Sequence, residues 1–204
     1  MYIPKSFKVS DAETLYWFLR DHNFATLVTE QLGHLTASAI PFMVDSERGV
    51  LKAHLARAND QWQHFDGREA LVIFQGPHAY ISPSWYAEHP SVPTWNYTAV
   101  HVYGAPTVID DESIVRTMLT ELVANHEHGR DPEWPMQLPD DYYQKMRQAI
   151  VVFEIPIDRI DGKFKLSQNR SGGDVDSVIN HLESSSSPLD IETARLMAEQ
   201  RRGS

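Results

Sequence analysis

The chain has 204 residues, of which 42% are hydrophobic and 23% charged, so it is expected to fold around a sizeable core. It contains no cysteine, which excludes disulfides, a cysteine nucleophile, thiolate zinc sites and cysteine-held iron–sulfur clusters. Its formal net charge of −10 at pH 7 disfavours direct DNA binding, because such affinity comes largely from neutralising phosphates.

The N-terminal residues Met1 to Lys5 lack the apolar run of a signal peptide. No window of the chain is long and apolar enough to cross a membrane. We therefore predict a cytoplasmic protein with no membrane partner.

The first predicted element is a helix over about 11–21. Ser10 and Glu13 fit a capping box, in which each side chain satisfies an early backbone amide. Apolar residues then follow at the spacing of one helix face: Leu15, Phe18 and Leu19.

Short strands follow this helix. Runs of apolar and small residues, separated by Gly or polar turns, predict strands over 24–29, 35–44 and 49–56. A short helix is predicted after Asn59. Two further strands, 70–76 and 78–81, are expected to join around Gly76 and Pro77.

Residues 94–104 give the most informative predicted strand, because their side chains alternate in character. One face would carry Trp95, Tyr97, Ala99, His101 and Tyr103. The other would carry Asn96, Thr98, Val100 and Val102.

The second half of the chain predicts more helix. Acidic residues 110–112 would begin a helix with a buried stripe of Ile114, Val115, Met118, Leu119, Leu122 and Val123. A helix over 140–147, a strand over 149–157 and a short strand over 164–166 come next. The remainder predicts a loop over 171–173, a weak helix over 174–182, a serine linker over 184–187 and a helix from Pro188.

This order of elements favours a mainly β, α+β fold built as a closed antiparallel barrel with peripheral helices. A doubly wound parallel sheet fits it poorly, because strands and helices do not alternate regularly. We predict one domain over 1–170 and a C-terminal helical extension over 171–204, which packs on the barrel or on a partner subunit.

The junction between the strand 49–56 and the following helix has the residue types of an anion site. If Asn59 caps that helix, the amides of the next residues, including Gln61 and Trp62, face the junction together with the positive end of the helix dipole. Arg57 adds a planar guanidinium suited to phosphate, and His54 lies three residues earlier. The alternative is a surface arginine beside an ordinary helix cap.

Three other clusters mix aromatic, hydroxyl and basic groups: Gly76 to Tyr86, Pro93 to Tyr97, and Lys165 to Arg170. Each of them also fits the polar or aromatic end of a barrel. His126 and His128 do not indicate a metal site, because residues two apart do not share a helix face. The chain has no phosphate-binding P-loop, dinucleotide-type Gly-rich turn or Gly-x-Ser-x-Gly elbow.

Taken in order, five segments resemble the PaiB family of FMN-binding negative transcriptional regulators: 1–4, 54–62, 76–86, 92–97 and 165–169. The resemblance implies a split barrel like that of pyridoxamine-phosphate-oxidase-like flavoproteins. It also implies FMN as the cofactor, a homodimer with the flavin at its interface, and a role in repressing protease synthesis and sporulation genes. The family motif often has proline where this chain has Asp60.

The resemblance, taken with the residue chemistry, assigns provisional roles to the candidate residues. Arg57 and the amides around Asn59, Gln61 and Trp62 would hold the FMN phosphate, helped by His54. Trp95 and Tyr97, or instead Trp85 and Tyr86, would border the isoalloxazine ring. The polar edge of the ring would be reached by Asn96, Lys165, Gln168 and Asn169. Ser38 or Ser82 would contact the ribityl chain.

Three functions stay open at this point. The first is a dimeric flavin-binding regulator of transcription, acting directly or through a partner. The second is an FMN-dependent oxidoreductase acting on an unknown small molecule, with His78 or His101 as a proton donor. The third is a dimeric scaffold without flavin, or a protein that binds another flat ligand such as haem.

Overall fold

The structure, a computed structural model, describes residues 1–202. Its strands are β1 (Lys8–Val9), β2 (Phe24–Gln31), β3 (His34–Pro41), β4 (Met43–Asp45), β5 (Val50–Ala56), β6 (Ala70–Ile81), β7 (Thr94–Gly104), β8 (Thr107–Val108), β9 (Ile150–Pro156) and β10 (Arg159–Lys165). Its α-helices are α1 (Ala12–Asp21), α2 (Glu112–Glu127), α3 (Asp140–Gln148), α4 (Gly172–Glu183) and α5 (Pro188–Arg202). Short 3₁₀ helices cover Lys5–Phe7, Asp60–His64 and Pro83–Trp85.

The chain forms two compact units that interleave along the sequence. Unit 1 contains Met1–His22, Phe74–His101 and the chain from Asp161 onward. Unit 2 contains Asn23–Ile73 and Val102–Ile160. The long strands β6 and β7 therefore contribute residues to both units.

Unit 1 is a sheet covered by helices. Its strands run in the order β1-β10-β7-β6, and β1 pairs antiparallel with β10. The core combines the apolar face of α1 with strand and tail-helix residues, all buried: Leu15, Phe18, Leu19, Phe74, Ile81, Phe164, Val178, Leu182 and Met197. Helix α1 lies close to β10, because a Cβ added to Gly162 would overlap the side chain of Leu15.

Unit 2 contains two antiparallel arrangements. Strands β6, β2 and β3 are neighbours in that order, with Thr26 opposite Ile73 and Phe24 opposite Pro41. The second sheet has the order β4-β5-β9-β8. In it, His54 of β5 lies opposite Val152 of β9.

Helix α2 covers part of the second sheet of unit 2. Val115 and Met118 are buried with Val152, and Leu119 packs beside them. The predicted stripe was wrong at Ile114, which is 49% exposed. Ile114 lies in the first turn of the helix, beside the Asp111 cap that accepts from the amides of residues 113 and 114, and it is not part of the cluster formed by Val115, Met118 and Val152.

Three predicted strands have clearly different bounds. The predicted short strand 164–166 is the end of β10, Arg159–Lys165. Residues 70–81 form one continuous strand, β6, instead of two strands joined at Gly76 and Pro77. Gly76 is required there by packing, because an added Cβ would lie 2.8 Å from a ring carbon of Phe18. The predicted strand 35–44 is divided into β3 and β4 at Phe42, which is buried and donates its amide to Asn23 O at 2.8 Å.

The C-terminal helices pack within unit 1. The predicted loop 171–173 is wrong in part: α4 already begins at Gly172, because the Ser171 hydroxyl accepts from the Asp174 amide and caps the helix. Helix α5 begins at Pro188, as predicted. The boundary between a domain over 1–170 and an extension over 171–204 stays a prediction.

Across residues 1–202, no helix is long and apolar enough to span a membrane.

Helix α1 is capped by Asp11, not by the predicted Ser10. The Asp11 carboxylate accepts from the amide of Thr14 at 2.8 Å and from its hydroxyl at 2.7 Å. A carboxylate one residue later in the chain provides the same cap, and its negative charge also suits the positive end of the helix.

We expect Asp11→Ala to lower the free energy of unfolding by about 0.5–2 kcal/mol, because the cap is lost. Urea unfolding monitored by circular dichroism measures this. Ser10→Ala is the matched control and is expected to change the value little. A larger loss in Ser10→Ala than in Asp11→Ala would restore the capping box predicted from the sequence.

Candidate functional site

In unit 2, five predicted site residues lie together where β5 ends. His54 is near the end of β5, Arg57 follows it, and Asn59 caps the 3₁₀ helix that contains Gln61 and Trp62. We call this group the junction cluster. Because a single short 3₁₀ helix aligns few peptide dipoles, the guanidinium of Arg57 is the main positive group of the cluster.

Arg57 is held rigidly by main-chain carbonyls. Its Nε donates to Gln148 O at 2.7 Å and its Nη2 donates to Ile150 O at 2.8 Å. The guanidinium also lies over the Trp62 ring, 5.6 Å from the centroid. The side chain is exposed and has no carboxylate partner within residues 1–202. A fixed and uncompensated guanidinium of this kind suits a phosphate.

Asn59, Gln61 and Trp62 mainly hold the local backbone. Asn59 Oδ1 accepts from the Gln61 amide at 3.1 Å, while its Nδ2 donates to Ser38 Oγ at 2.9 Å. Trp62 Nε1 donates to Arg57 O at 3.1 Å. Ser38, predicted for the ribityl chain, is therefore joined to the junction cluster.

Gln61 is buried, with 1% of its surface exposed. Its Nε2 donates to Thr29 Oγ1 at 3.0 Å and lies 3.3–3.4 Å from the carbonyls of Leu27 and Thr36. These bonds fasten the 3₁₀ helix to β2 and β3. Within residues 1–202, its buried Oε1 has no hydrogen-bond partner.

His54 is half-buried, and burial lowers the pKa of its imidazole below the ordinary value. Its Nδ1 is buried and has no hydrogen-bond partner in the described part of the chain. A neutral imidazole is therefore favoured in the folded protein. Any contact of His54 with a phosphate would be a neutral hydrogen bond rather than an ion pair.

We expect the free energy of unfolding to fall as the pH falls below about 6.5, because the unfolded chain binds a proton at His54 more readily than the folded protein does. Burial also lowers the pKa of His22, which acts in the same direction. Urea unfolding at pH values of about 7.5 and 5.5 measures the loss. The loss should be smaller in His54→Gln, and unchanged in the control His34→Gln, whose imidazole is exposed. Equal losses in the wild type and His54→Gln would contradict this reasoning.

In unit 1, β6 and β7 present flat side chains that we call the aromatic face: His78, Tyr80, Trp95 and Tyr97. Tyr80 is 45% exposed and Trp95 is 53% exposed. Their ring centroids are 5.9 Å apart at 72°, and the His78 ring is 6.1 Å from Trp95. The predicted alternation of β7 is confirmed, since Asn96, Thr98, Val100 and Val102 are the buried side.

Two lysines of β10 lie beside the aromatic face. Lys163 Nζ is 5.1 Å from the centroid of the Tyr97 ring. Lys165 Nζ donates to Thr94 Oγ1 at 2.7 Å and to Trp95 O at 2.5 Å. Burial, followed by the charges of Lys163 and Arg170, lowers the pKa of Lys165. Sequence reasoning missed Lys163, although its spacing of two from Lys165 on a strand indicates a shared face.

The remaining predicted ring contacts lie in different surroundings. Asn96 is fully buried, and its Nδ2 donates to Ser167 Oγ at 2.9 Å. Gln168 holds the turn after β10, because its Oε1 accepts from Leu166 N and its Nε2 donates to Phe164 O. Asn169 is exposed. The assignment of these side chains to the polar edge of a flavin stays a prediction.

The alternative ring-stacking pair, Trp85 and Tyr86, is already in contact with other side chains. Trp85 stacks on His181 with centroids 5.0 Å apart, and its carbonyl accepts from Ser177 Oγ. Tyr86 is buried beneath the guanidinium of Arg170, 4.2 Å from the ring centroid. The exposed Trp95 is therefore the better candidate for contact with a flat ligand.

The structure thus forms two groups from the predicted residues, the junction cluster in unit 2 and the aromatic face with its lysines in unit 1. Considered separately, the first suits the phosphate of FMN and the second suits its ring. Within residues 1–202, no group of three or more His, Asp or Glu side chains could hold a metal ion.

Antiparallel sheets with peripheral helices make this chain an α+β split-barrel protein of the flavin-binding type, as predicted. Solved structures support the fold. The FAD and heme binding protein from Mycobacterium smegmatis is 20% identical, with a TM-score of 0.62 over 78% of this chain and 73% of that one. The flavocytochrome Anf3 from Azotobacter vinelandii is 17% identical, with a TM-score of 0.66 over 84% of this chain and 73% of that one.

The chain belongs to the PaiB family of FMN-binding proteins, and its cofactor is FMN. The family model described as "Putative FMN-binding domain" matches residues 1–159. Among curated proteins, the chain is 36% identical over 203 residues to the protease synthase and sporulation protein PAI 2 of Bacillus subtilis, and the match covers 98% of both chains. The family resemblance inferred from the sequence is therefore confirmed.

Proposed function

We propose that this protein is an FMN-binding negative regulator of transcription that acts as a homodimer. The observation that carries the proposal is the aromatic face, a set of flat side chains of which Tyr80 and Trp95 are exposed, in a chain of the FMN-binding family. The similarity to the protease synthase and sporulation protein over nearly the whole of both chains supports the regulatory role.

Each group is assigned the part of FMN that suits its chemistry, Arg57 in unit 2 and the aromatic face with its lysines in unit 1. Arg57 binds the FMN phosphate through the part of its guanidinium that the two carbonyls leave available. Trp95 and Tyr97 border the isoalloxazine ring, and Lys165 supplies positive charge near its polar edge. FMN, when bound, supplies reversible one- and two-electron redox chemistry.

The homodimer is proposed from the exposure of the aromatic face. Tyr80 and Trp95 place large apolar area in solvent, and such area is commonly covered by a partner or a ligand. We propose that a second copy and the flavin cover it together, so the flavin lies at the dimer interface. The net charge of −10 makes regulation through a protein partner the preferred route over direct DNA contact.

The first experiment combines the visible absorption of the purified protein with an FMN titration and light scattering. The proposal predicts a flavin spectrum or micromolar or tighter binding, and a mass of two chains. Trp95→Ala should weaken both FMN binding and dimerisation. Trp134→Ala, an exposed tryptophan of unit 2, is the control and should change neither. A monomer that binds FMN tightly would overturn the dimeric site.

The regulatory role is tested by transcript profiling of cells that lack the protein. Genes that it represses should rise, and the wild-type chain should lower them again. Arg57→Ala should fail to do so if FMN is needed for repression. If Arg57→Ala restores repression fully although it no longer binds FMN in vitro, repression does not require the flavin.

An FMN-dependent oxidoreductase acting on an unknown small molecule is the second candidate. The exposure of Trp95 and the adjacent His78 favours it, because an open aromatic surface also admits a substrate to a bound flavin. Anaerobic addition of NADH or NADPH to the FMN-loaded protein decides this point. Rapid loss of the oxidised flavin absorption, beyond that of free FMN, supports an enzyme. A rate equal to that of free FMN rejects reduction by these two donors.

A further inference from the structure

Unit 1 contains a cavity of about 480 Å³ between helix α1, the end of β10 and helix α5. None of the residues of the aromatic face lines it. Its floor is apolar and consists of Trp17, Phe164, Leu166 and Leu196. The last three are at most 5% exposed, whereas Trp17 is 38% exposed. A cavity of this size and lining suits a small organic molecule.

Carboxylates surround this floor. Asp11 accepts two hydrogen bonds from Thr14, which hold the pKa of its carboxyl below the ordinary value. Glu13 has no hydrogen-bond or ion-pair partner within residues 1–202. Glu199 is paired with Arg195, 2.6 Å away. Asp11 is offset in part by the positive end of α1, which it caps, so Glu13 is the rim carboxylate whose charge is least neutralised.

Basic groups do not line this cavity in the part of the chain that the structure describes. Lys165 lies between Phe164 and Leu166 in sequence, but its ammonium group is bonded to Thr94 Oγ1 and Trp95 O. Alternation along β10 explains the separation, because neighbouring strand residues point to opposite sides. The cavity therefore combines an apolar floor with an acidic rim.

We propose that this cavity binds a small organic cation, an ammonium group carried on an apolar and preferably aromatic body. The body would lie on Trp17 and the rest of the apolar floor, and the ammonium group would be attracted chiefly by Glu13. The exposed indole ring of Trp17 adds cation–π attraction. A carboxylate ligand of the same shape would be repelled by the rim. This site is separate from the proposed flavin site and does not depend on it.

The test is calorimetric titration of the full chain with 2-phenylethylammonium at low salt. Two isosteres serve as chemical controls, neutral 2-phenylethanol and anionic 3-phenylpropionate. The cation should bind at least about fivefold tighter than the alcohol, a difference of roughly 1 kcal/mol. Added salt should weaken binding of the cation. Equal binding of cation and alcohol, or no binding of the cation at millimolar concentration, would overturn the proposal.

Two variants locate the binding. Glu13→Gln should weaken binding of the cation about fivefold and leave binding of the alcohol unchanged. The control is Glu183→Gln, which removes an exposed acid of α4 and should change neither affinity. Trp17→Leu should weaken binding of both the cation and the alcohol, whereas Trp134→Leu should change neither affinity. If Trp17→Leu does not fold, Glu13→Gln decides, because this exposed helix position has no partner to lose. An unchanged cation affinity in Glu13→Gln would overturn the site.

Discussion

Gly104→Ala is expected to lower the free energy of unfolding by about 3 kcal/mol or more, the largest effect that we predict for a single methyl group. Gly104 is buried at the end of β7, in unit 2. A Cβ there would overlap the carbonyl oxygen of Pro156 and would lie 2.9 Å from Ile155 Cγ2. Because the obstructing oxygen belongs to the backbone of β9, no side-chain rotation can relieve the overlap.

The backbone next to Gly104 is held by a hydrogen bond. The carbonyl of the preceding residue, Tyr103, accepts from the Asp158 amide at 3.0 Å, so moving β7 away from the turn after β9 would break that bond. Urea unfolding of the purified variant measures the loss. Gly173→Ala is the matched control, because nothing lies within 4 Å of its Cβ and alanine suits the first turn of α4. Equal stability of the two variants would show that β7 and β9 can separate without loss.

Arg57→Ala is expected to weaken FMN binding about ten- to a hundredfold, which corresponds to roughly 1.5–3 kcal/mol for a charge-assisted contact. The guanidinium is exposed, fixed by the carbonyls of Gln148 and Ile150, and not neutralised by a carboxylate within residues 1–202. A titration followed by flavin fluorescence measures the change. Unchanged affinity would remove Arg57 from the phosphate site.

Two further variants separate charge from structure. Arg68→Ala removes an exposed arginine of the same unit that is already paired with Asp66 and Glu30, so FMN affinity should hardly change. Arg57→Lys keeps the charge but loses the planar fork, and an intermediate affinity is expected. Urea unfolding of all three shows whether the lost carbonyl bonds affect the fold. Weaker FMN binding in Arg57→Ala with unchanged stability would place the effect in the site.

The family and its cofactor could be predicted from the sequence, because they depend on long motifs read in order. The residue types of 54–62 suit an anion site, whereas the ring role of residues 92–97 came from the family resemblance. The phosphate role of Arg57 and the ring role of Trp95 stay predictions, since they depend on a ligand that must meet side chains from distant parts of the chain. The homodimer and the regulatory role also stay proposals.

Local patterning determined much of the secondary structure. The alternation of residues 94–104 predicts which side of β7 is buried, because a strand has a period of two regardless of its neighbours. Pro188 predicts the start of α5 in the same way, since its fixed backbone angle suits a first helical turn. Features of this kind need only the residues within one element.

Other features depended on contacts between elements, and only the tertiary structure decided them. Gly76 and Pro77 read locally as a break, yet β6 continues through them. Glycine is needed at position 76 because Phe18 of α1 leaves no room for a side chain there, not because the chain turns. Asn96 has the chemistry of a ligand-binding residue, yet it is bonded to Ser167 in the interior of unit 1. The amino-acid sequence determined the family, the cofactor and the faces of single elements. Which polar groups remain available to a ligand was decided by packing, because residues far apart in the chain compete for the same hydrogen bonds and the same space.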